Sequence, residues 1–359
     1  PWDGPAAVAA FDGRWAIAGL DRNGLRPLRY AKTEDGLLAV GSETGMCPLN
    51  DKRVIERGAV PAGGMIAVDL EEGRFYSSDE MIDHLTAAHP YKDWLTNVEA
   101  LDDRILTGPE DRLFADTDLS RRQYAAGYTN EDLELILRPM AEDGKEAIGS
   151  MGDDTPLAVL SSQYRPLSHF FRQRFSQVTN PPIDPLREGR VMSLKTRFKN
   201  LGNILAQEEA QTDVFVLDGP ILTNGMYERM GDVLGKASVA HIDCTTSPAI
   251  TGTPGTALRA ALARIAKEAC DAVRAGASHV ILSDAEQSAD KMPVPMILAT
   301  GGVHRQLIEE GLRSRCSITV RSGECVDSHY TAVLIGVGAT TVNPYLALET
   351  LASRHEAGR

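Results

Sequence analysis

The feature that most restricts the fold of this chain is a series of short, uninterrupted apolar runs in its C-terminal half. Strands that are buried on both faces read this way, whereas strands of a half-exposed sheet alternate apolar and polar residues. The residues from 154 onward are therefore predicted to form an α/β domain with a mostly parallel sheet. The runs lie at residues 214–217, 239–242, 280–282, 296–299 and 317–320.

The clearest helix is predicted over residues 256–275, just before the run at 280–282. Gly276 marks its C-terminal end, and a helix followed at once by a buried strand is the rhythm of βαβ units. One helical face carries an apolar stripe of Leu258, Leu262, Ile265, Ala269 and Val273.

The N-terminal part has a different pattern, in which apolar runs alternate with turn residues. Asp12-Gly13 and Asp35-Gly36 are hairpin signals, so antiparallel connections are expected, and a helix over residues 79–88 would be capped by Asp79. Because the chain opens on Pro1 and runs at once into a strand-like segment, we expect it to come from the middle of a longer protein. Four strands are predicted, at residues 6–10, 15–20, 37–40 and 65–68.

The changing pattern of apolar, charged and turn residues along the chain predicts three segments. Residues 1–96 form the antiparallel part, residues 97–153 a linker and helical connector, and residues 154–359 the α/β domain. Within the connector, residues 119–144 are predicted to be helical, with a cap and an acidic first turn at residues 129–132.

Composition excludes several classes of protein. The net charge of −13, from 37 basic and 50 acidic residues, argues against a nucleic-acid or anionic-membrane surface. The five cysteines are odd in number, widely spaced and without a CxxC pair, so neither a disulfide framework nor a zinc or iron–sulfur site is predicted. We expect a cytoplasmic chain with reduced thiols, without a membrane span, and with no cofactor or metal of its own.

Two motifs in the N-terminal part invite a catalytic interpretation. Residues 21–27, DRNGLRP, are either a turn tied by an Asp–Arg pair or, through Asn23-Gly24, the amide donors of an oxyanion hole. An N-terminal-nucleophile amidohydrolase would need a cysteine at the mature N-terminus, and this chain has Pro1 there. Cys47 has no histidine close in sequence, so no catalytic residue is assigned in this chain.

The α/β part offers weaker signals. Ser283-Asp284 follows a buried strand, where such folds place ligand groups. Gly301-Gly302 is expected to precede a helix, as a turn and cap or as a phosphate site. The pattern at residues 336–341 lacks the third glycine of GxGxxG. Ordinary hydrogen-bonded roles are expected for His241, His304 and His329, which lack ligand spacing.

The segment from Asn180 to Arg190 contains three prolines in its first half, at 181, 182 and 185. They stiffen the backbone and remove three hydrogen-bond donors, which is typical of a fixed loop or a contact surface. Asp184, Arg187 and Arg190 add charges that a turn does not need. We expect Asn180, Asp184, Arg187 and Arg190 to contribute to an interface or a channel, with an internal brace as the alternative.

Taken in order, local strings along nearly the whole chain resemble one family. Residues 1–5 (PWDGP), 21–27 and 42–43 resemble the C-terminal half of the class II glutamine amidotransferase domain of glutamate synthases. The central domain of the same family is matched by the strings at residues 149–158, 177–185 (QVTNPPIDP), 192–194, 333–336 and 343–347. Ala285 departs from the family, where Ser-Asp-Arg is expected, and residues 201–211 differ in detail.

This resemblance implies the internal part of a large subunit that makes L-glutamate from L-glutamine and 2-oxoglutarate. Glutamine is hydrolysed in the first domain, ammonia is channelled, and reduced FMN converts the resulting iminium to glutamate. The nucleophilic cysteine and the glutamine-binding residues would lie upstream of Pro1, and the FMN and iron–sulfur sites beyond Arg359. The fold implied is part of an αββα N-terminal-nucleophile-type sheet followed by the α/β central domain.

On this reading the chain connects the glutaminase domain to the flavin synthase domain of the same subunit and is inactive alone. A small NAD(P)H-oxidising subunit is a further implied partner. Two other classes remain open on sequence alone. One is a free-standing module that binds an anion at Gly301-Gly302, and the other is a complete enzyme that uses Cys47.

Overall fold

The computed structural model describes residues 4–101, 105, 113–146, 159–162, 165–172, 183, 185–248 and 253–358, with backbone alone at residues 186, 187, 190, 236 and 254. Two compact units divide the chain, Pro1–Asp93 and Trp94–Arg359. The three-segment division predicted from the sequence, at residues 1–96, 97–153 and 154–359, stays a prediction.

The first unit is built from antiparallel strands, as predicted. They form a four-stranded sheet and a three-stranded sheet. Asp12-Gly13 and Asp35-Gly36 each join a paired hairpin. Three further strands were not predicted. The strands are Ala7–Phe11, Trp15–Leu20, Met65–Asp69 and Arg74–Tyr76 in the first sheet, and Leu38–Gly41, Arg29–Thr33 and Val54–Ala59 in the second.

The helix that follows these strands, Ser78–Thr86, is capped two residues earlier than predicted. Its N-cap is Ser77, whose Oγ accepts from the Glu80 backbone N–H while the Glu80 carboxylate accepts from the Ser77 N–H. Asp79 lies inside the first turn, so its predicted role as the cap is wrong. The reciprocal Ser77–Glu80 arrangement satisfies two donors of the helix start.

The connector region is helical, but it is not one helix over residues 119–144. The helix Asp116–Ala125 ends, the chain turns at Gly127, and a second helical stretch begins after Thr129. Thr129 caps that stretch, because its Oγ accepts from the Asp132 backbone N–H at 3.2 Å. The second stretch runs as a π-helix, Asp132–Leu137, and then as an α-helix, Arg138–Asp143.

A four-stranded parallel sheet, here called the parallel sheet, is the centre of the second unit. Its strands follow the order of the chain and confirm the predicted α/β class. A helix connects each strand to the next, and all four strands run in the same direction. Their carboxyl ends therefore lie at the same edge of the sheet. The strands are Val239–Asp243, His279–Ser283, Ser317–Arg321 and Thr341–Asn343; the helices after them are Pro254–Arg274, Met296–Glu309, Ser328–Gly336 and Tyr345–Glu356.

Apolar side chains on both faces hold the parallel sheet in place. Val280 and Leu282 pack into the main core with the helices Pro254–Arg274 and Met296–Glu309. Ile281 points to the opposite face, where the helix Asn224–Leu234, here called the cavity helix, packs in a second core cluster. Each fully buried Leu or Ile contributes about 1.5–3 kcal/mol, which explains the uninterrupted apolar runs of the sequence.

Two of the five predicted runs have a different place in the structure. Residues 296–299 are the first turn of the helix Met296–Glu309 rather than a strand. The run at 214–217 does form a strand, Phe215–Leu217, but it pairs in a separate three-stranded sheet. Other short elements are the strands Glu99–Ala100, Thr196–Phe198, Thr245–Thr246 and Met292–Pro293 and the helices Tyr91–Trp94 and Pro185–Val191.

Among the described residues, no helix combines the length and apolar composition that crossing a bilayer requires.

Candidate functional site

The carboxyl ends of the parallel strands bring four polar side chains into one row. Asp243 is in register with Ser283, Ser283 with Arg321, and Arg321 with Asn343. In open α/β sheets, ligands bind outside this edge because the connecting loops leave a crevice there. The register therefore defines the candidate functional site of the second unit.

A cavity of about 580 Å³ lies at this row, between the cavity helix and the strands Val239–Asp243 and His279–Ser283. This volume is in the range of small-molecule sites. The helix presents residues spaced at about one turn to the cavity, because that spacing places them on one face. The lining residues are Tyr227, Glu228, Gly231, Asp232, Val239, His241, Ile242, Asp243, Ile281, Ser283, Ala285, Glu286 and Arg321.

Arg321 is the positively charged group most firmly held in this wall. Its side chain is 14% exposed, and its guanidinium carbon lies 4.3 Å from the ring centroid of Tyr227 and 5.4 Å from that of Tyr345. Its Nη1 is 3.5 Å from a carboxylate oxygen of Glu228, a long ion pair. Aromatic faces fix the plane of the guanidinium, so its N–H fork is oriented before any ligand arrives.

Beneath the row, Asp284 is buried to 1% exposure. Its carboxylate accepts a hydrogen bond of 3.0 Å from the Gly323 backbone N–H and one of 3.5 Å from the Ser322 hydroxyl. Burial, together with the nearby charge of Glu324, raises the pKa of Asp284 to about 7.

Glu324 closes the start of the helix Met296–Glu309. Its carboxylate accepts from the Met296 backbone N–H at 3.1 Å and from the Tyr330 hydroxyl at 2.6 Å, and burial raises its pKa. Gly301 and Gly302 lie within this helix, a full turn past its start. The prediction that Gly301-Gly302 precedes a helix, as a turn and cap or as an anion site, is therefore wrong, because their amide groups belong to the helix interior and not to its N-terminus.

The glycines at 336 and 338 form a turn rather than a nucleotide loop. Gly336 ends the helix Ser328–Gly336, and Gly338 has φ +121° and packs against the ring of His304. His304 Nδ1 accepts from Arg313 Nε at 3.0 Å. His329 Nε2 lies 3.0 Å from the Ser168 carbonyl. Within the described residues, no three His, Cys, Asp or Glu side chains gather as metal ligands.

In the first unit, the turn at residues 21–27 is organised around the carboxylate of Asp21. It accepts from the backbone N–H groups of Asn23, Leu25 and Arg26, at 3.0–3.1 Å, which lowers the pKa of Asp21. The Gly24 N–H donates to the Asp21 carbonyl at 2.9 Å. Both amides of the Asn23-Gly24 pair are thus used within the turn, so the structure favours the turn interpretation over an oxyanion hole.

The cysteines of the described region do not suit an iron–sulfur cluster, whose ligands are thiolates gathered at one place. Cys47 is exposed in the first unit, in a cleft whose described lining contains no histidine. Burial raises the pKa of Cys244 and Cys325 to about 12 and that of Cys316 to about 11, so these thiols stay protonated.

The four residues predicted for an interface or channel are largely outside the described region. Asn180 and Asp184 are not among the described residues. Arg187 and Arg190 lie in the helix Pro185–Val191, with their side chains outside the description. Their role stays a prediction.

Sequence reasoning missed Arg321 and the cavity helix. Arg321 directly follows the run at 317–320, so the rule that singled out Ser283-Asp284 would also have found it. Nothing local to residues 227–232 shows that this helix lies over the edge of the parallel sheet.

Comparison with known sequences finds a family match for each of the two units. The profile of the family described as "Glutamate synthase central domain" matches residues 121–359, and that of "Glutamine amidotransferases class-II" matches residues 1–94. The second unit is thus a central domain of the glutamate synthase type, joined to a class II amidotransferase segment. The chain belongs to the glutamate synthase family.

Full-length relatives align with almost the entire chain. It is 55% identical to the glutamate synthase [NADPH] large chain of Azospirillum brasilense over 361 aligned positions, covering 100% of this chain and 24% of the relative. Ferredoxin-dependent glutamate synthase 2, chloroplastic, of Arabidopsis thaliana is 41% identical, with 98% and 21% coverage. The Bacillus subtilis [NADPH] large chain is 38% identical, with 100% and 23% coverage. The chain therefore spans about a quarter of the length of these relatives.

Proposed function

We propose that this chain is the part of a glutamate synthase large subunit that joins the glutaminase domain to the synthase domain. The observation that carries the proposal is the order of the two family matches, amidotransferase at residues 1–94 and central domain at residues 121–359, on one chain. Relatives named as glutamate synthases align over 100% and 98% of this chain.

The reaction proposed for the whole subunit consumes L-glutamine and 2-oxoglutarate. Hydrolysis of the glutamine amide gives one glutamate and ammonia. The ammonia condenses with 2-oxoglutarate, and a two-electron reduction of the iminium gives the second glutamate. FMN and an iron–sulfur cluster in other parts of the subunit would supply the electrons. Four cysteines of this chain are buried, and the described residues contain no group of three metal-ligating side chains.

The partners that follow from this function are protein domains and not nucleic acid or membrane. The flavin synthase domain of the same subunit is the nearest, and a small NAD(P)H-oxidising subunit is a second. The relatives' names mention NADPH, ferredoxin or NADH, so all three are candidate electron donors. The cytoplasm is the proposed compartment.

Within that subunit, the segment Asn180 to Arg190 is proposed to align the glutaminase and synthase sites. The prolines at 181, 182 and 185 fix its path, and Asp184, Arg187 and Arg190 supply charges for contact with another domain. Arg187 is suited to a forked, bidentate contact with a carboxylate across a domain boundary, which lysine would not reproduce.

Replacing Arg187 with alanine in the full-length enzyme should uncouple the two half-reactions. Loss of a charge-assisted contact of about 1.5–3 kcal/mol should misalign the domains, so that ammonia escapes. The ratio of glutamine consumed to glutamate formed from 2-oxoglutarate should rise severalfold, while activity with free ammonia survives. Parallel assays of glutamine loss and labelled glutamate formation measure this ratio.

Two companion variants sharpen this test. Arg187→Lys should fail to restore the coupling, whereas Arg315→Ala, which removes an exposed arginine elsewhere in the second unit, should leave it unchanged. If both activities of Arg187→Ala instead fall together with thermal stability, the segment is an internal brace and the alignment role is refuted.

A further inference from the structure

The cavity at the edge of the parallel sheet has an uneven distribution of charge. Glu228, Asp232 and Glu286 belong to its exposed part, while Arg321 is held within its wall. Asp243 is neutralised in part by Lys291, whose Nζ lies 2.9 Å from its carboxylate. The cavity therefore has one oriented cation, in a long ion pair with Glu228, beside a mouth of net negative charge.

Besides Arg321 and the carboxylates, three polar side chains line the cavity, those of Tyr227, His241 and Ser283, and the rest of the wall is apolar. Ile242 and Ile281 are buried behind the cavity, and Val239 and Ala285 continue the apolar surface. The Ser283 Oγ accepts from the Ala285 backbone N–H at 3.1 Å. A serine hydroxyl that already accepts one bond still has its own hydrogen to donate. Ser283 and Arg321, which are in register, can thus donate to the same group.

We propose that this cavity binds a zwitterionic α-amino acid. The ligand carboxylate would bind the Arg321 fork and the Ser283 hydroxyl, the ammonium group would face Asp232 and Glu286, and the side chain would lie along Val239 and Ile281. Recognition of both charges explains why a single guanidinium and several carboxylates line one cavity.

Other ligand classes match this lining less well. A phosphate or a dicarboxylate would satisfy Arg321 but would lie opposite unneutralised carboxylates, which repel it. A simple amine would leave the oriented guanidinium without a ligand partner. A metal ion is disfavoured as well, because the described residues contain no group of three metal-ligating side chains.

Binding of free amino acids to the 359-residue chain is the direct test. L-leucine, L-glutamine and L-lysine represent apolar, polar and basic side chains, and isothermal titration calorimetry reports their affinities. For L-leucine, matched probes are 4-methylpentanoate, which lacks the ammonium group, and 3-methylbutylamine, which lacks the carboxylate. We expect at least one amino acid to bind and both truncated probes to bind at least about tenfold more weakly, as expected for loss of a charged hydrogen-bonded group.

Variants of the lining residues test whether amino acids bind in this cavity. Arg321→Lys and Asp232→Asn should each weaken it about tenfold or more. Asp290→Asn, at an exposed carboxylate that is not among the lining residues, should not. Because Asp232 is exposed, its variant tests the site even if Arg321→Lys fails to fold. The proposal is overturned if none of the three amino acids binds, if 4-methylpentanoate binds as well as L-leucine, or if Asp232→Asn leaves the affinity unchanged.

Discussion

Replacing Gly338 with alanine is expected to lower the free energy of unfolding of the second unit by about 3 kcal/mol or more. Gly338 has φ +121°, a backbone conformation that residues with a Cβ rarely adopt. A Cβ there would also overlap the ring of His304. The ring cannot retreat freely, because its Nδ1 accepts from Arg313 and the same guanidinium donates to the Gly338 carbonyl at 2.8 Å.

Chemical denaturation followed by circular dichroism measures this loss. Gly336→Ala is the matched control, since a Cβ at 336 meets nothing within 4 Å and the backbone there is helical. Its stability should be unchanged or slightly increased. Equal stability of Gly338→Ala and the unmodified chain would show that the turn before Thr341–Asn343 is not as constrained as the geometry indicates.

The second large effect concerns the buried carboxyl of Asp284 and depends on pH. Its pKa rises from 3.8 to about 7 on folding, through burial and the proximity of Glu324. A group with a raised folded pKa contributes stability that is complete below its unfolded pKa and is lost as the pH rises through the folded value. The contribution of Asp284 should therefore fall between about pH 4 and pH 7. Asp284→Asn, which cannot ionise, should gain stability relative to the unmodified chain over that range.

Comparison of the two proteins at pH 5 and pH 8 isolates this contribution. Other groups, such as buried His279 with its pKa lowered to about 3, change stability with pH in the opposite sense. Their effects cancel in this comparison, because both proteins contain them. The difference in unfolding free energy between variant and unmodified chain should shift by on the order of 2 kcal/mol in favour of the variant at pH 8. Asp290→Asn, at an exposed carboxylate, should show no such shift. A pH-independent difference for Asp284→Asn would mean that Asp284 is already ionised at pH 5.

Much of the fold could be predicted because burial on both faces leaves a direct mark on sequence. The runs at 239–242, 280–282 and 317–320 became strands of the parallel sheet. Residues 296–299 were misassigned, since four apolar residues are too few to reveal a period. Pro295, immediately before them, was the usable signal, because proline is favoured at helix starts.

Strands of the first unit were missed for a different reason. Arg29–Thr33 and Val54–Ala59 are directly paired, and Lys32 lies opposite Glu56 with an ion pair of 2.8 Å. Charged residues that stabilise each other across strands interrupt the apolar pattern on which strand prediction depends. Their partners are more than twenty positions apart, so local sequence does not reveal the pairing.

Only part of the candidate site could be predicted. Ser283 and Asp284 were found because they follow a buried run, and the same rule extends to Arg321. Tyr227 and Asp232 reach the cavity through packing of a helix that precedes the parallel sheet in the chain. The raised pKa of Asp284 depends on its burial and on Glu324, forty residues away. Both are properties of tertiary structure.

Following the amide nitrogen of glutamine tests whether this chain works within a glutamate synthase large subunit. The native polypeptide that contains this sequence is isolated from its source cells and supplied with 2-oxoglutarate and amide-labelled glutamine. NADPH, NADH and reduced ferredoxin are offered in turn. We expect the label in the amino group of glutamate formed from 2-oxoglutarate, even when unlabelled ammonia is in excess. Release of the label as free ammonia, with no glutamate formed from 2-oxoglutarate under any of the three donors, would refute this role.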